Sequence, residues 1–279
     1  MKNLLDRSKI GLLYLILLIA MVIIPHNIIV YIFTALIMFL ATDEYFKCID
    51  LDKTYLKYIS YIFQIISIIF MYISYNKLEK NLLYLYLSTI IILQMSIVTI
   101  INIIKEMKYN IQQIAMSILG YIYIGALPLY LLKISNLQNG NFKLGLLFVI
   151  VSSTDTFAYL IGSKFGKHKL TKISPKKTVE GSIAGIVFAV IFSILYKFVI
   201  AYYLNTQISI DYIRLIPIIV FLSAISQLGD LFASSIKRSF KKKDYGTLLK
   251  EHGGILDRID SLIYTAPFAY FLMSLGYLI

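Results

Sequence analysis

The chain has 279 residues, of which 59% are hydrophobic and 15% charged, with a formal net charge of +12. A soluble domain is about half apolar and about a quarter charged; here the apolar residues run in blocks long enough to cross a bilayer, which excludes a soluble fold and predicts a polytopic membrane protein. Cys48 is the single cysteine, so an intrachain disulfide and a thiolate metal cluster are excluded as well.

Taken in chain order, the apolar blocks predict about nine spans: Ile10–Ile24, Ile28–Ala41, Leu56–Tyr75, Leu82–Ile104, Ile111–Leu132, Leu144–Ile161, Ser182–Leu204, Leu215–Ile236 and Leu262–Ile279. The first two are short and separated only by Pro25-His26-Asn27, as a tight hairpin or a broken pair. Lys2, Arg7 and Lys9 before an apolar run have the charge layout of a secretory signal. No small-residue cleavage site follows, so a retained first span is expected. The loops are too short to fold alone. The expected architecture is all-α, one integral bundle. Residues 1–140 supply spans without motifs, and 141–279 supply spans that carry them.

Cytoplasmic loops carry the excess of Lys and Arg. With a cytoplasmic N-terminus and nine crossings, 21 of the 27 basic residues fall on the inner side. Orientation and attraction to anionic lipid explain much of this charge. They do not explain why 13 of the 27 crowd into two loops, Lys164–Lys177 and Lys237–Arg258. There is no Trp, so the 23 Tyr supply any aromatic belt.

Two apolar blocks contain an aspartate. "VIVSSTDTFAYLIG" places Ser152, Asp155 and Tyr159 on one helix face, and "AISQLGDLFASS" does the same with Gln227 and Asp230. An Asp inside a span costs about 2.5–3.5 kcal/mol on insertion scales, so each is a functional candidate, structural hydrogen bonding being the alternative. In the basic loop "GSKFGKHKLTKISPKKTVEGSIAG", Ser174 is expected to cap a helix starting at Pro175. Lys176 and Lys177 would then sit in a first turn, where the helix dipole disfavours cations unless an anion binds there, a solvated basic loop being the alternative.

The last polar stretch is "SSIKRSFKKKDYGTLLKEHGGILDRID". Asp257 and Asp260 are three apart and share a helix face. Such oxygen ligands suit Mg²⁺, which takes one or two carboxylates plus substrate phosphates. Gly253-Gly254 lets the backbone approach a ligand or turn sharply. Lys237, Arg238, Lys243 and Arg258 offer donors to phosphate oxygens. Two of the chain's four arginines lie here, which points to two-pronged contacts that Lys cannot make. His252 has no second His or Cys nearby, which points away from zinc. Carboxylates for a metal and cations for phosphate form an inventory for phosphoryl or nucleotidyl transfer.

At these residues the chain resembles the phosphatidate cytidylyltransferase (CDP-diacylglycerol synthase) family. Ser234, Lys237, Arg238, Lys243, Asp244, Gly246, Leu249, His252, Gly253, Gly254, Asp257, Arg258 and Asp260 match the family pattern, and Lys250 departs from its usual Pro or Gly. "SPKKTVEG", "QLGD" and "TDTFAY" match further family segments, so the resemblance covers roughly the C-terminal half. It implies CTP and phosphatidic acid as substrates, CDP-diacylglycerol and pyrophosphate as products, and Mg²⁺ with room for a second cation. It further implies a homodimer in a bacterial plasma membrane, with the site facing the cytoplasm and no nucleic-acid partner. Carried over residue by residue, it makes Asp230 and Asp257 the metal ligands, with Asp260 behind them or sharing the metal. Lys237, Arg238 and Arg258 join Asp257 and Asp260 as the catalytic set. Asp155, Lys176, Lys177, Thr178, Glu180, Lys243, Asp244, His252, Gly253 and Gly254 form the substrate-binding set. A CTP-dependent transferase or kinase for another lipid acceptor has the same inventory. An ion-coupled transporter with Asp155 and Asp230 on its pathway is the reading from another class, although no inverted repeat is visible.

Overall fold

The computed structural model describes residues 27–77, 80–204, 212–249 and 253–276. The expected first span Ile10–Ile24, its basic flank, Pro25-His26, Lys250, His252 and the last residues of the expected final span lie outside them. The described residues are helical and contain no strand, only one isolated antiparallel bridge between Lys169 and Thr178.

In chain order the helices are α1 (Asn27–Cys48), α2 (Tyr55–Lys77), α3 (Lys80–Ile104) and α4 (Ile111–Gly120), followed by a π-helical turn (Tyr121–Ala126). Then come α5 (Leu129–Ser135), α6 (Gly140–Phe165), α7 (Val179–Leu204), α8 (Tyr212–Ser239) and α9 (Leu256–Ser274). Six stretches among the described residues are long and apolar enough to cross a membrane: Ile28–Cys48, Tyr55–Ile73, Ile111–Ser135, Gly140–Phe165, Val179–Tyr203 and Tyr212–Ser239. Ser88–Ile104 is a shorter apolar helix.

The chain forms two compact units. One holds Asn27–Asn136 and Ser239–Ile259. Tyr45, Phe46, Met38 and Tyr121 are fully buried in it. Some of its buried polar groups pair across helices: Gln64 Nε2 donates to Thr42 Oγ1 at 2.6 Å, and Tyr45 OH donates to Met116 O at 2.9 Å. α1 runs past the expected end at Ala41 because Asp43 and Lys47, four apart, pair at 2.6 Å. The expected span over Ile111–Leu132 is one apolar stretch with a broken hydrogen-bond ladder. Asn110 and Gln113 form a reciprocal capping box at its start. Pro128 has no N–H to continue the ladder, and Leu127 N reaches back to Ile122 O at 3.1 Å across the π turn.

The other unit holds, among the described residues, 137–204, 212–238 and 260–276. In it α6 and α7 approach until their backbones touch. A Cβ at Gly181 would lie 2.5 Å from Ala158 O and 2.9 Å from Gly162 Cα. Small residues at such a crossing let dispersion and close packing replace the hydrophobic drive that lipid removes. Phe157 stacks on Phe188 at 4.0 Å between centroids on the same pair of helices. Hydroxyl and amide pairs fix α8 against both: Thr154 Oγ1 and Ser223 Oγ at 2.7 Å, Ser182 Oγ and Gln227 Oε1 at 2.5 Å.

The loop from α6 to α7 departs from expectation. α7 starts at Val179, not at Pro175. Thr178 caps it, its hydroxyl accepting the Gly181 N–H at 3.2 Å. Pro175 instead takes the second position of a turn closed by Lys177 N to Ser174 O at 3.0 Å. The first turn therefore contains Glu180 rather than two lysines, which suits the helix dipole. Lys176 and Lys177 precede the helix, so its first turn does not call for a bound anion.

Candidate active site

The helical unit that contains α6 to α8 gathers charge at one place. Asp230, on α8, faces Lys177 of the loop between α6 and α7, Nζ to Oδ2 2.6 Å. Ser234, one turn on, donates to Asp230 Oδ1 at 3.3 Å, and Lys177 also lies 3.5 Å from Gln227 O. Asp260 is 5% exposed and Lys237 7%. The Ser261 amide donates to Asp260 Oδ1 at 2.7 Å. Asp260 precedes the apolar run beginning at Leu262. Burial, then the charge of Asp230, pushes its carboxyl well above the ordinary range; Lys237 pulls the other way and Asp155 adds a smaller push. The structure thus brings together Asp155, Lys177, Asp230, Lys237 and Asp260.

The hairpin loop leading into α7 organises its other residues locally. Glu180 accepts the amides of Lys167 and His168 at 3.1 and 3.2 Å, and the His168 ring nitrogen at 2.6 Å. Leu170 N donates to Lys177 O and Val179 N to His168 O, each at 2.9 Å. Thr178 and Glu180 hold this loop in shape, which sets where Lys177 emerges. Lys176 and Arg238 are exposed.

The other unit contains the remaining expected residues that are described, His252 lying outside them. Asp257, in the first turn of α9, accepts the amides of Tyr245 and Gly254 on Oδ2, both at 2.9 Å. Gly253 has φ 77°, a left-handed conformation that glycine adopts without penalty, and Leu249 N donates to its carbonyl at 3.0 Å. The loop before α9 is therefore folded around one Asp257 oxygen. Lys243, Asp244 and Arg258 are exposed.

The residue missed in the sequence is Glu44. It is buried at the end of α1 and accepts the Ile255 and Leu256 amides at 3.0 and 2.9 Å. An acid pair, Asp43-Glu44, trailing an apolar block was the available signal. The expected span ends at Ala41, short of both.

Among the described residues, no three His, Cys, Asp or Glu side chains form a group able to cage a metal ion. Mg²⁺ asks for less: one or two carboxylates, with water and substrate phosphates completing the octahedron. Asp230, whose charge reaches the buried Asp260 carboxylate, offers such an oxygen donor, and hard oxygen donors suit the ion. The residues fit the metal.

Residues 6–276 match the model of the cytidylyltransferase family. The chain is 40% identical over 176 residues to the phosphatidate cytidylyltransferase of Bacillus subtilis (strain 168), covering 62% of this chain and 63% of the relative. It is 40% identical over 159 residues to that of Rickettsia bellii, covering 57% and 69%. It is 34% identical over 167 residues to that of Staphylococcus haemolyticus, covering 60% and 61%. The alignments to the Bacillus and Staphylococcus relatives thus span less than two thirds of their lengths.

Proposed function

This chain belongs to the cytidylyltransferase family, and from that premise we propose that it transfers CMP from CTP to phosphatidic acid, giving CDP-diacylglycerol and pyrophosphate. A phosphate oxygen of phosphatidate attacks the α-phosphorus of CTP. The bond from that phosphorus to the β-bridging oxygen breaks, and pyrophosphate leaves with the electron pair. The nucleophile is already an anion, so no strong general base is needed. The difficulty lies in bringing two polyanions together, which is an electrostatic task.

Lys177, Lys237, Arg238 and Arg258 are assigned to phosphate oxygens, with Lys176 and Lys243 widening the basic surface. Asp230 and Asp257 are the carboxylates assigned to Mg²⁺, and Asp260 supports them. The metal, when bound, neutralises phosphate charge and polarises the phosphoryl group. Lys177 then has two partners: the Asp230 carboxylate it now touches at 2.6 Å, and an incoming phosphate. A lipid acceptor requires a site that opens at headgroup level, which polar residues at span ends supply.

The observation that carries this reading is the cluster of Asp230, Asp260, Lys177 and Lys237 among long apolar helices. A cytoplasmic N-terminus, about nine spans, a cytoplasm-facing site and a homodimer in the plasma membrane belong to the same proposal. The basic asymmetry of 21 in 27 supports the first three. The test is pyrophosphate release by purified protein supplied with CTP, Mg²⁺ and phosphatidate. Release that needs all three supports the reading. No release, with ion flux in vesicles bearing the protein, supports the transporter.

A further inference from the structure

Glu44 is 5% exposed, and both of its carboxylate oxygens are engaged. Ile255 N–H donates to Oε1 at 3.0 Å and Leu256 N–H to Oε2 at 2.9 Å. These two amides open α9. A helix start ordinarily offers such donors to a capping side chain or to a bound anion. Here a carboxylate from α1, 211 and 212 residues away along the chain, takes them.

The same carboxylate lies over two glycines. A Cβ on Gly246 would fall 2.5 Å from Oε1, and one on Gly254 would fall 2.3 Å from Oε2. Among the described glycines only Gly253 and Gly276 have positive φ. Backbone conformation therefore does not demand glycine at 246 or 254; the volume of the Glu44 carboxylate does. Gly254 is held from two directions, its N–H on Asp257 Oδ2 at 2.9 Å and its bare Cα against Glu44. Beside it, Tyr45 stacks on Tyr245 at 6.3 Å.

We propose that Glu44 is a positioning residue, a built-in anion that locks the loop before α9 so that Asp257 and Arg258 meet their ligands from a fixed backbone. Because Glu44 already occupies the leading amides of α9, substrate phosphate is left to the Lys and Arg side chains. The effect on turnover rests on the cytidylyltransferase reading; the lock itself does not.

Glu44→Gln tests both. The amide keeps the shape and one acceptor oxygen, and turns an NH₂ toward an N–H that needs an acceptor. Hydrogen exchange of the full-length protein in detergent micelles should quicken at least about tenfold over 253–258 and stay unchanged over α6. With CTP, Mg²⁺ and phosphatidate, kcat should fall at least about tenfold while the CTP KM stays within about threefold, the split expected when orientation rather than binding is lost. Gly246→Ala, which pushes the carboxylate without removing its charge, should give the same split and replaces Glu44→Gln if that variant does not fold. Unchanged exchange over 253–258 overturns the lock. Quicker exchange with parental kcat overturns the positioning role. A parent protein that releases no pyrophosphate refutes the cytidylyltransferase reading, while the exchange measurement, which needs no substrate, still decides the lock.

Discussion

Asp230→Asn separates a carboxylate that holds a metal from one that merely glues helices together. Asp230 Oδ2 lies 2.6 Å from Lys177 Nζ, with 32% and 23% of the two side chains exposed. A hydrogen bond to a charged group contributes about 1.5–3 kcal/mol, and this much exposure brings an ion pair toward about 1 kcal/mol. The substitution also removes a like charge that burdens buried Asp260, which offsets part of that loss. The two effects oppose, so unfolding should shift by no more than about 1 kcal/mol, a few degrees in Tm. Turnover should behave differently. Asparagine keeps the shape but gives up the anionic charge on which metal binding depends, and metal ions contribute several kcal/mol to transition-state charge stabilisation. A loss of about 4 kcal/mol is about a thousandfold in rate. The assay is CDP-diacylglycerol formation over a range of Mg²⁺ concentrations, beside thermal unfolding in the same micelles. Turnover within tenfold of the parent, in a folded protein, would refute the metal role. A fall of more than about 10 °C in Tm with a matching loss of activity would make Asp230 structural.

Arg258→Lys should lose at least about tenfold in CTP turnover at saturating Mg²⁺, because a planar two-pronged phosphate contact is not available to Lys; a variant within twofold of the parent would make the residue a simple charge. Asp260→Asn should lose activity yet raise thermal stability at neutral pH, since it removes a carboxylate buried at a cost. The sign of the pH dependence follows: the folded pKa lies above the unfolded one, so the native state binds more protons between the two. Parent stability should therefore rise as pH falls toward the ordinary value of 3.8, and in Asp260→Asn that rise should be smaller. Reporters placed within Lys164–Lys177 and after Ile279 should lie on opposite sides of the membrane, inside and outside respectively. Both on one side would refute the count of about nine spans.

The helices were legible because a long apolar block can satisfy its backbone in lipid only by coiling. Asp155 and Asp230 were legible for the complementary reason: an ionisable group inside such a block is costly and needs an explanation. Two misreadings have local causes. Asp43, Glu44 and Lys47 looked like the end of a span, yet the Asp43–Lys47 pair and the burial of Glu44 carry α1 to Cys48. Ser174-Pro175 looked like a helix start, yet a turn uses that proline and Thr178 provides the cap. The contacts that shape the site were beyond any local pattern. Lys177 finds Asp230 53 positions later, and Glu44 finds the amides of α9 across most of the chain. Periodicity and capping rules reach only a few residues, so such partners come from tertiary packing alone. The glycines of the "HGG" run are expected to admit a ligand or a sharp turn; Gly253 turns with φ 77°, and Gly254 packs against the Glu44 carboxylate.

The most direct test follows each phosphorus of CTP. Purified protein is given phosphatidate, Mg²⁺ and CTP labelled either at the α- or at the γ-phosphorus, and the lipid is then extracted. The cytidylyltransferase account predicts that the α label enters the lipid as CDP-diacylglycerol and the γ label leaves as pyrophosphate. Lipid carrying the γ label, with CDP released, would make the protein a kinase and contradict it.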